Sequence, residues 1–130
     1  MGEINYKYNE VELLKDIARY IDGTYDQHYA QGEIQTTEFI ISNGDGIAFS
    51  RGNVIKYAQR YGKKDGRNRK DILKIIHYAI IMLYSHDIEQ QKEIDYEIQS
   101  RNNQHFKELC DDQLESLVSA RFGYSNDLGT

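Results

Sequence analysis

The stretch Ile-Leu-Lys-Ile-Ile-His-Tyr-Ala-Ile-Ile-Met-Leu (residues 72–83) decides the fold. A helix built from it is apolar nearly all round, which predicts a central buried helix that begins near Arg69 or Lys70. The chain has no proline, the commonest helix breaker, and its apolar spacing is helical wherever it is regular. We therefore predict an all-α protein with a compact helical core.

The first predicted helix lies near the N-terminus. Asn9 and Glu12 have the spacing of a capping box, and apolar residues then follow one helical face. The helix should run over residues 10–22 and end at Gly23, because glycine commonly follows a helix C-terminus. Residues 24–32 are polar and aromatic without a period, so they are predicted to form a surface loop.

Two more helices are predicted before the apolar stretch. A short helix over residues 34–42 is followed by Asn43-Gly44-Asp45-Gly46, which is dense in turn-forming residues. The next helix should cover residues 47–61, and a basic loop over residues 62–68 should connect it to the central helix.

The pattern becomes amphipathic after Ser85-His86-Asp87, where we predict a helix boundary. Residues 88–122 should form one long helix or two helices broken near Asn102-Asn103. Their apolar stripe consists of Ile94, Ile98, Phe106, Leu109, Leu117 and Val118. A long helix on so small a body tends to bury its stripe against a partner chain, so we expect a homo-oligomer.

Composition limits the class of protein. At 130 residues, with 39% hydrophobic and 28% charged residues, the chain is expected to be a single globular domain over 1–130. It has neither an apolar run of membrane-spanning length nor a signal-peptide pattern, so no membrane partner and a cytoplasmic location are expected. The net charge of −5 argues against binding to duplex DNA.

Charge is strongly segregated along the chain. Nine of the sixteen basic residues lie between Arg51 and Lys74, opposed there by Asp65 and Asp71 alone. This basic window carries about +7 and the remaining residues about −12. Such segregation favours a site for an anionic partner, although a solvated helical surface is the competing interpretation.

Two polar stripes at helical spacing occupy the basic window. Lysine and arginine side chains at i, i+3 and i+7 can converge on phosphate oxygens, and an asparagine can contact a sugar or base. We predict a pocket between the two stripes. The first is Asn53, Lys56, Arg60, Lys63 and Lys64, and the second is Asp71, Lys74 and Tyr78.

A more specific pattern runs through residues 25–84. It consists of His28-Tyr29, Gly32, Ile34, Gly52-Asn53, Ile55-Lys56-Tyr57, Arg60, Gly62-Lys63-Lys64-Asp65, Asp71, Leu73-Lys74 and Tyr78. This pattern resembles a family of small phage proteins described as nucleotide-kinase-like. The chain departs from the family at Ile72, which is inserted after the aspartate, and at Ile75, which replaces an alanine. Both differences are apolar and leave the charged positions in register.

The resemblance implies phage origin, nucleotide binding and, in at least one member, phosphoryl transfer to nucleoside monophosphates. His28 could then donate hydrogen bonds to a phosphate, and Tyr25 or Tyr29 could stack on a base. The stripes and the resemblance together assign the ligand to Tyr25, His28, Tyr29, Asn53, Lys56, Tyr57, Arg60, Lys63, Lys64, Asp71, Lys74 and Tyr78.

Three functions remain open. The leading hypothesis is a protein without a cofactor that captures a phosphorylated nucleotide and sequesters a host-defence signal. The alternative is a nucleoside monophosphate kinase that uses ATP and Mg²⁺, with Asp71 or His28 acting on the acceptor. The third is a protein-binding module with no enzymatic activity. A faint metal-site pattern, His86-Asp87 with His77, lacks same-face spacing, so we predict no metal site.

Overall fold

The computed structural model describes residues 2–29 and 33–122. These residues form four α-helices and no strand, which confirms the all-α prediction. The helices are α1 (Glu10–Tyr29), α2 (Glu33–Ser42), α3 (Gly46–Arg60) and α4 (Arg69–Phe122). None of the helices in this described part of the chain has the length and apolar character needed to cross a membrane.

Helix α1 is longer than predicted. It passes through Gly23 and continues to Tyr29, so the prediction of a loop beginning at Thr24 is wrong for residues 24–29. The hydroxyl of Thr24 donates to the backbone carbonyl of Tyr20 at 3.0 Å, which is a contact made inside a continuing helix. A glycine within a helix costs only about 1 kcal/mol, an amount that surrounding helical residues can offset. The remainder of the predicted loop, residues 30–32, lies outside the described residues.

The predicted capping box at the start of α1 does not form. The Glu12 carboxylate accepts from the Lys15 ammonium at 2.8 Å and does not reach back to Asn9. Instead, Glu10 Oε2 accepts the backbone N–H of Tyr8 at 2.9 Å. The backbone carbonyl of Asn9 accepts the N–H of Leu13 at 3.0 Å, so the first helical hydrogen bond begins where the sequence indicated.

The two turns that precede α3 and α4 agree with the predicted turn chemistry. Gly44 has a φ of +89°, which favours glycine, between α2 and α3. Gly62 has a φ of +85° after α3, and its N–H donates to the Gly66 carbonyl at 2.9 Å. Asn68 then caps α4, because its Oδ1 accepts the backbone N–H of Lys70 at 3.0 Å.

Helix α4 is continuous, so the predicted helix boundary at residues 85–87 is wrong. The helix is also unbroken at Asn102-Asn103, which agrees with the alternative of one long helix there. Ser85 is 2% exposed, and its hydroxyl donates to the Ile81 carbonyl at 2.9 Å rather than capping a new helix. A Cβ on Gly46 would lie 2.5 Å from Ser85 Oγ. The small residues at these two positions therefore let the start of α3 approach α4.

The chain divides into two compact units, Met1–Ile88 and Glu89–Thr130, which we call unit 1 and unit 2. Tyr57, at 9% exposure, is the one buried apolar side chain among the described residues. The stretch over residues 72–83, which was predicted to form a central buried helix, is instead half-exposed, with Leu83 at 60%. Helix α4 contacts α1 and α3 through a few side chains, so most of its apolar residues remain accessible to a ligand or partner.

Candidate functional site

Three cations surround the ring of Tyr57, the buried tyrosine of α3. The Nζ atoms of Lys56 and Lys74 lie 5.3 Å and 4.8 Å from the ring centroid, and Arg60 Cζ lies 5.1 Å from it. Each distance is within cation–π range. Two of these side chains belong to α3 and one to α4, so the two predicted polar stripes do meet, and the aromatic residue between them organises their charges.

One of the three cations is neutralised by a buried carboxylate. Arg60 Nε donates to Asp71 Oδ1 at 2.9 Å, and Arg60 Nη2 forms an ion pair with the same oxygen at 2.9 Å. The Asp71 side chain is 0% exposed and that of Arg60 is 23% exposed. A buried carboxylate that loses its partner is strongly destabilising, which makes this pair a structural link between α3 and α4. Lys56 and Lys74 are left as the cations that give the cluster its net positive charge.

Asp71 has a second oxygen with a different environment. Its Oδ2 is buried and accepts no hydrogen bond within the described residues. Buried polar atoms are usually hydrogen-bonded, so this oxygen is a place where a donor would be stabilising. The backbone N–H of Asp71 donates to the Asn68 carbonyl at 3.0 Å, which anchors the residue in the first turn of α4.

An aromatic stack joins α3 to α4 beside these charges. The rings of Tyr57 and Tyr78 are stacked, with centroids 5.8 Å apart and an interplanar angle of 12°. Phe49 meets Tyr78 edge-on at 5.9 Å. Offset and edge-to-face ring pairs of this kind stabilise packing by about 0.5–1.5 kcal/mol beyond the area that they bury. The stack therefore fixes Tyr57 and, with it, the centre of the cation cluster.

A cavity of about 510 Å³ opens next to the stack, entirely within unit 1. Its volume is in the range of small-molecule sites. The lining is mainly aromatic and aliphatic, with a few polar groups that could orient a ligand. It consists of Tyr20, Ile21, Thr24, Tyr25, Thr37, Glu38, Ile41, Tyr57, Lys74, His77, Tyr78, Ile80, Ile81 and Tyr84.

Of the α1 residues that line this cavity, Tyr25 was predicted from the sequence, whereas Tyr20, Ile21 and Thr24 were not. Tyr20 packs edge-on against His77 of α4, with ring centroids 6.1 Å apart and an interplanar angle of 89°. Tyr20 is half-buried, and this burial raises the pKa of its phenol. Tyr20 and Thr24 are four residues apart and share a helical face. That spacing could have revealed them had α1 been extended past Gly23.

The remaining predicted residues have varied positions. Tyr25, Tyr57, Lys74 and Tyr78 line the cavity. Lys56 and Arg60 are not part of its lining and lie beside the ring of Tyr57. Asn53 donates from its side-chain amide to the Phe49 carbonyl at 3.0 Å, so its amide N–H is engaged within α3. Lys63 and Lys64 are exposed in the turn after α3. The side chains of His28 and Tyr29 lie outside the described residues.

The carboxylates and histidines of the described ranges, 2–29 and 33–122, do not gather into a cluster of three that could hold a metal ion. Asp71, the carboxylate that the kinase hypothesis places on the acceptor, is fully buried and held by Arg60. The geometry thus provides a cation, aromatic surface and the Glu38 carboxylate in the cavity lining, whereas Asp71 is engaged in a structural ion pair outside that lining.

Fold and site together define an all-helical protein with a tyrosine-lined cavity flanked by lysine side chains. Residues 24–80 match a family described as a protein of unknown function, DUF3310. The matched range ends within the apolar stretch of α4 and includes Tyr57, Lys74 and Tyr78. No curated protein and no solved structure matches the chain.

Proposed function

We propose that this chain is a phage protein that captures a phosphorylated nucleotide in the unit 1 cavity and holds it without chemistry. The observation that carries the proposal is the position of Lys74, which lines the cavity and lies 4.8 Å from the ring centroid of Tyr57. A cation beside a fixed aromatic surface matches the two parts of a nucleotide, because phosphate oxygens seek cations and bases stack on rings.

The cavity supports this assignment by its composition. Its several tyrosines offer rings for a base, and the Glu38 carboxylate can accept hydrogen bonds from the N–H groups of a base. Lys56 and Lys74 supply two charges for phosphate oxygens, whereas the Arg60 charge is already opposed by Asp71. The kinase hypothesis is less favoured in the form that assigns Asp71 to the acceptor, because phosphoryl transfer requires a carboxylate or hydroxyl available to magnesium and Asp71 is engaged by Arg60.

The biological role that we propose is sequestration of a host-defence nucleotide signal in the cytoplasm of the infected cell, by a homo-oligomer. Capture requires a cavity that retains its ligand, and it needs neither a cofactor nor turnover. The resemblance to nucleotide-kinase-like phage proteins and the cation-flanked cavity both support this role.

Thermal-shift measurements with nucleoside mono-, di- and triphosphates, and with inorganic pyrophosphate, test the proposal. A ligand at a hundred times its Kd stabilises the folded state by about 2.7 kcal/mol, which raises the Tm by roughly 10 °C for a domain of this size. Lys74→Ala should weaken binding about 10–100-fold, the effect of losing one charge-assisted contact. Lys92→Ala removes the same charge from unit 2 and should bind like the unaltered chain.

The outcomes separate the three functions. The proposal fails if no nucleotide raises the Tm, and a protein-binding role would then be favoured. If Lys74→Ala and Lys92→Ala bind equally well, the ligand lies elsewhere. Incubation with ATP, Mg²⁺ and each nucleoside monophosphate, followed by anion-exchange chromatography, distinguishes capture from catalysis. New diphosphate would establish the kinase, whereas release of unchanged ligand on heating supports sequestration.

A further inference from the structure

Unit 2 contains a helical segment that buries almost none of its own surface. From Gln90 to Arg121 every residue of α4 is exposed. Helices draw most of their stability from packing an apolar face rather than from intrinsic propensity. Phe106 and Leu117 are 69% and 67% exposed, so the packing that would stabilise this segment must come from outside the described residues of the chain.

The exposed apolar residues follow an 11-residue repeat. Ile98, Asn102 and Phe106 are spaced by four residues, and Leu109, Gln113 and Leu117 repeat that spacing 11 residues later. Each repeat therefore reads apolar, amide, apolar. Eleven residues make three turns of about 3.67 residues, so these six positions form one straight face. We call this face the seam.

The seam is large enough for a stable interface. Its four apolar residues are between 49% and 69% exposed, and Ile94, one helical turn earlier, is 50% exposed. Together these five side chains present roughly 600 Å² of apolar surface, which approaches the ~800 Å² that each partner contributes to a standard interface once the flanking residues are added.

The two amides identify the partner. A primary amide both donates and accepts hydrogen bonds, so a buried Asn or Gln is best satisfied by another amide at the same level. In a parallel pair of seams Asn102 meets Asn102 and Gln113 meets Gln113. In an antiparallel pair Asn102 meets Gln113, and Ile98 meets Leu117. The seam is thus complementary to itself in either direction, and polar residues at such positions commonly fix register.

We propose that the seam joins unit 2 to the unit 2 of a second copy of this chain, as a homo-oligomeric coiled coil with paired amide layers at Asn102 and Gln113. The 11-residue repeat gives this coil a straight or right-handed winding rather than the left-handed winding of heptads. The inference is independent of nucleotide binding, because the seam and the cavity belong to different units.

Sedimentation equilibrium of the full chain tests the seam. The double variant Phe106→Glu/Leu109→Glu should sediment at the monomer mass. The matched control Tyr96→Glu/Ser100→Glu adds the same two charges to the opposite face and should keep the mass of the unaltered chain. Tyrosine fluorescence reports mainly on unit 1, which contains nine of the eleven tyrosines. It should be the same for the unaltered chain and for Phe106→Glu/Leu109→Glu, which shows that unit 1 remains folded, and the control should differ only by the loss of Tyr96.

Other results would overturn the proposal. A monomeric mass for the unaltered chain at about 100 µM would mean that the seam does not join two copies. An oligomeric mass for Phe106→Glu/Leu109→Glu would place the interface elsewhere. Asn102→Leu provides a second measurement, since replacing a buried polar layer should raise the Tm. A Tm unchanged by Asn102→Leu would place this residue in water and remove the amide layer.

Discussion

The ion pair between Arg60 and Asp71 predicts a large loss of stability when the arginine is removed. Arg60→Met retains the aliphatic stem but leaves the Asp71 carboxylate, at 0% exposure, without its hydrogen bond and ion pair to Arg60. Breaking a buried pair in this way costs about 3–5 kcal/mol. At about 4–8 °C per kcal/mol for a domain the size of unit 1, the Tm should fall by at least about 12 °C.

Removing the aspartate of this pair should lower the free energy of unfolding by less than removing the arginine. Asp71→Ala leaves an arginine that is 23% exposed, and a long side chain can extend its charged group toward water. We expect a loss of about 1–2 kcal/mol. The double variant Arg60→Met/Asp71→Ala removes both charges, so it should be more stable than Arg60→Met alone, with a coupling energy of about 2 kcal/mol or more.

Urea unfolding followed by tyrosine fluorescence measures these differences. Lys56→Met is the matched control, because it removes a charge from the same ring but from an exposed side chain, and it should cost under about 1 kcal/mol. A loss below about 1 kcal/mol for Arg60→Met, or a double variant less stable than Arg60→Met, would refute the view that this pair links α3 to α4.

Three further predictions concern local structure. Gly46→Ala should cost about 1–3 kcal/mol, because its Cβ would lie 2.5 Å from Ser85 Oγ, and adding Ser85→Ala should recover part of that loss in urea titrations. Gly62→Ala, at a φ of +85°, should lower the Tm, whereas Gly52→Ala, within α3 and with open space around its Cβ, should raise it by virtue of better helix propensity. Hydrogen bonds from Arg19 and Arg69 hold the pKa of Asp16 below its ordinary value. The ionised carboxylate therefore stabilises the fold at any pH above its unfolded pKa, and this stabilisation is lost as the pH falls through its folded pKa. Asp16→Asn should therefore show a shallower loss of Tm in acid.

Local signals explain which parts of the fold could be predicted. The turn at Gly44 and the start of α4 after Asn68 follow from backbone conformations and caps that only a few residue types favour. The errors arose where tertiary packing overrides local preference. Ser85 suggests a helix boundary by type, yet its role is to be small beside Gly46, and its hydroxyl is satisfied by the preceding turn.

Helical spacing in the sequence predicted part of the candidate site. Lys56, Arg60 and Asp71 could be assigned to a common region because helical spacing places charges on defined faces. Helical spacing does not report burial, so it could not show that Arg60 and Asp71 form a buried pair and leave Lys56 and Lys74 as the unopposed cations beside Tyr57. Tyr20 and His77 are more than fifty residues apart in the chain, and only the packing of α1 against α4 brings their rings together.

The ion pairs formed by the basic window also bear on function. Arg60 is opposed by Asp71, and Arg69 by Asp16 at 2.8 Å, while the other basic side chains of the window form no ion pair within residues 2–29 and 33–122. Like charges held close together oppose folding, so an arrangement that leaves them unopposed is stabilised whenever an anion binds among them. Lys74 is the unopposed cation that also lines the cavity, so its contribution to the binding of an anion there should be the most sensitive to salt. Anion binding measured at rising ionic strength should therefore weaken more steeply for the unaltered chain than for Lys74→Ala.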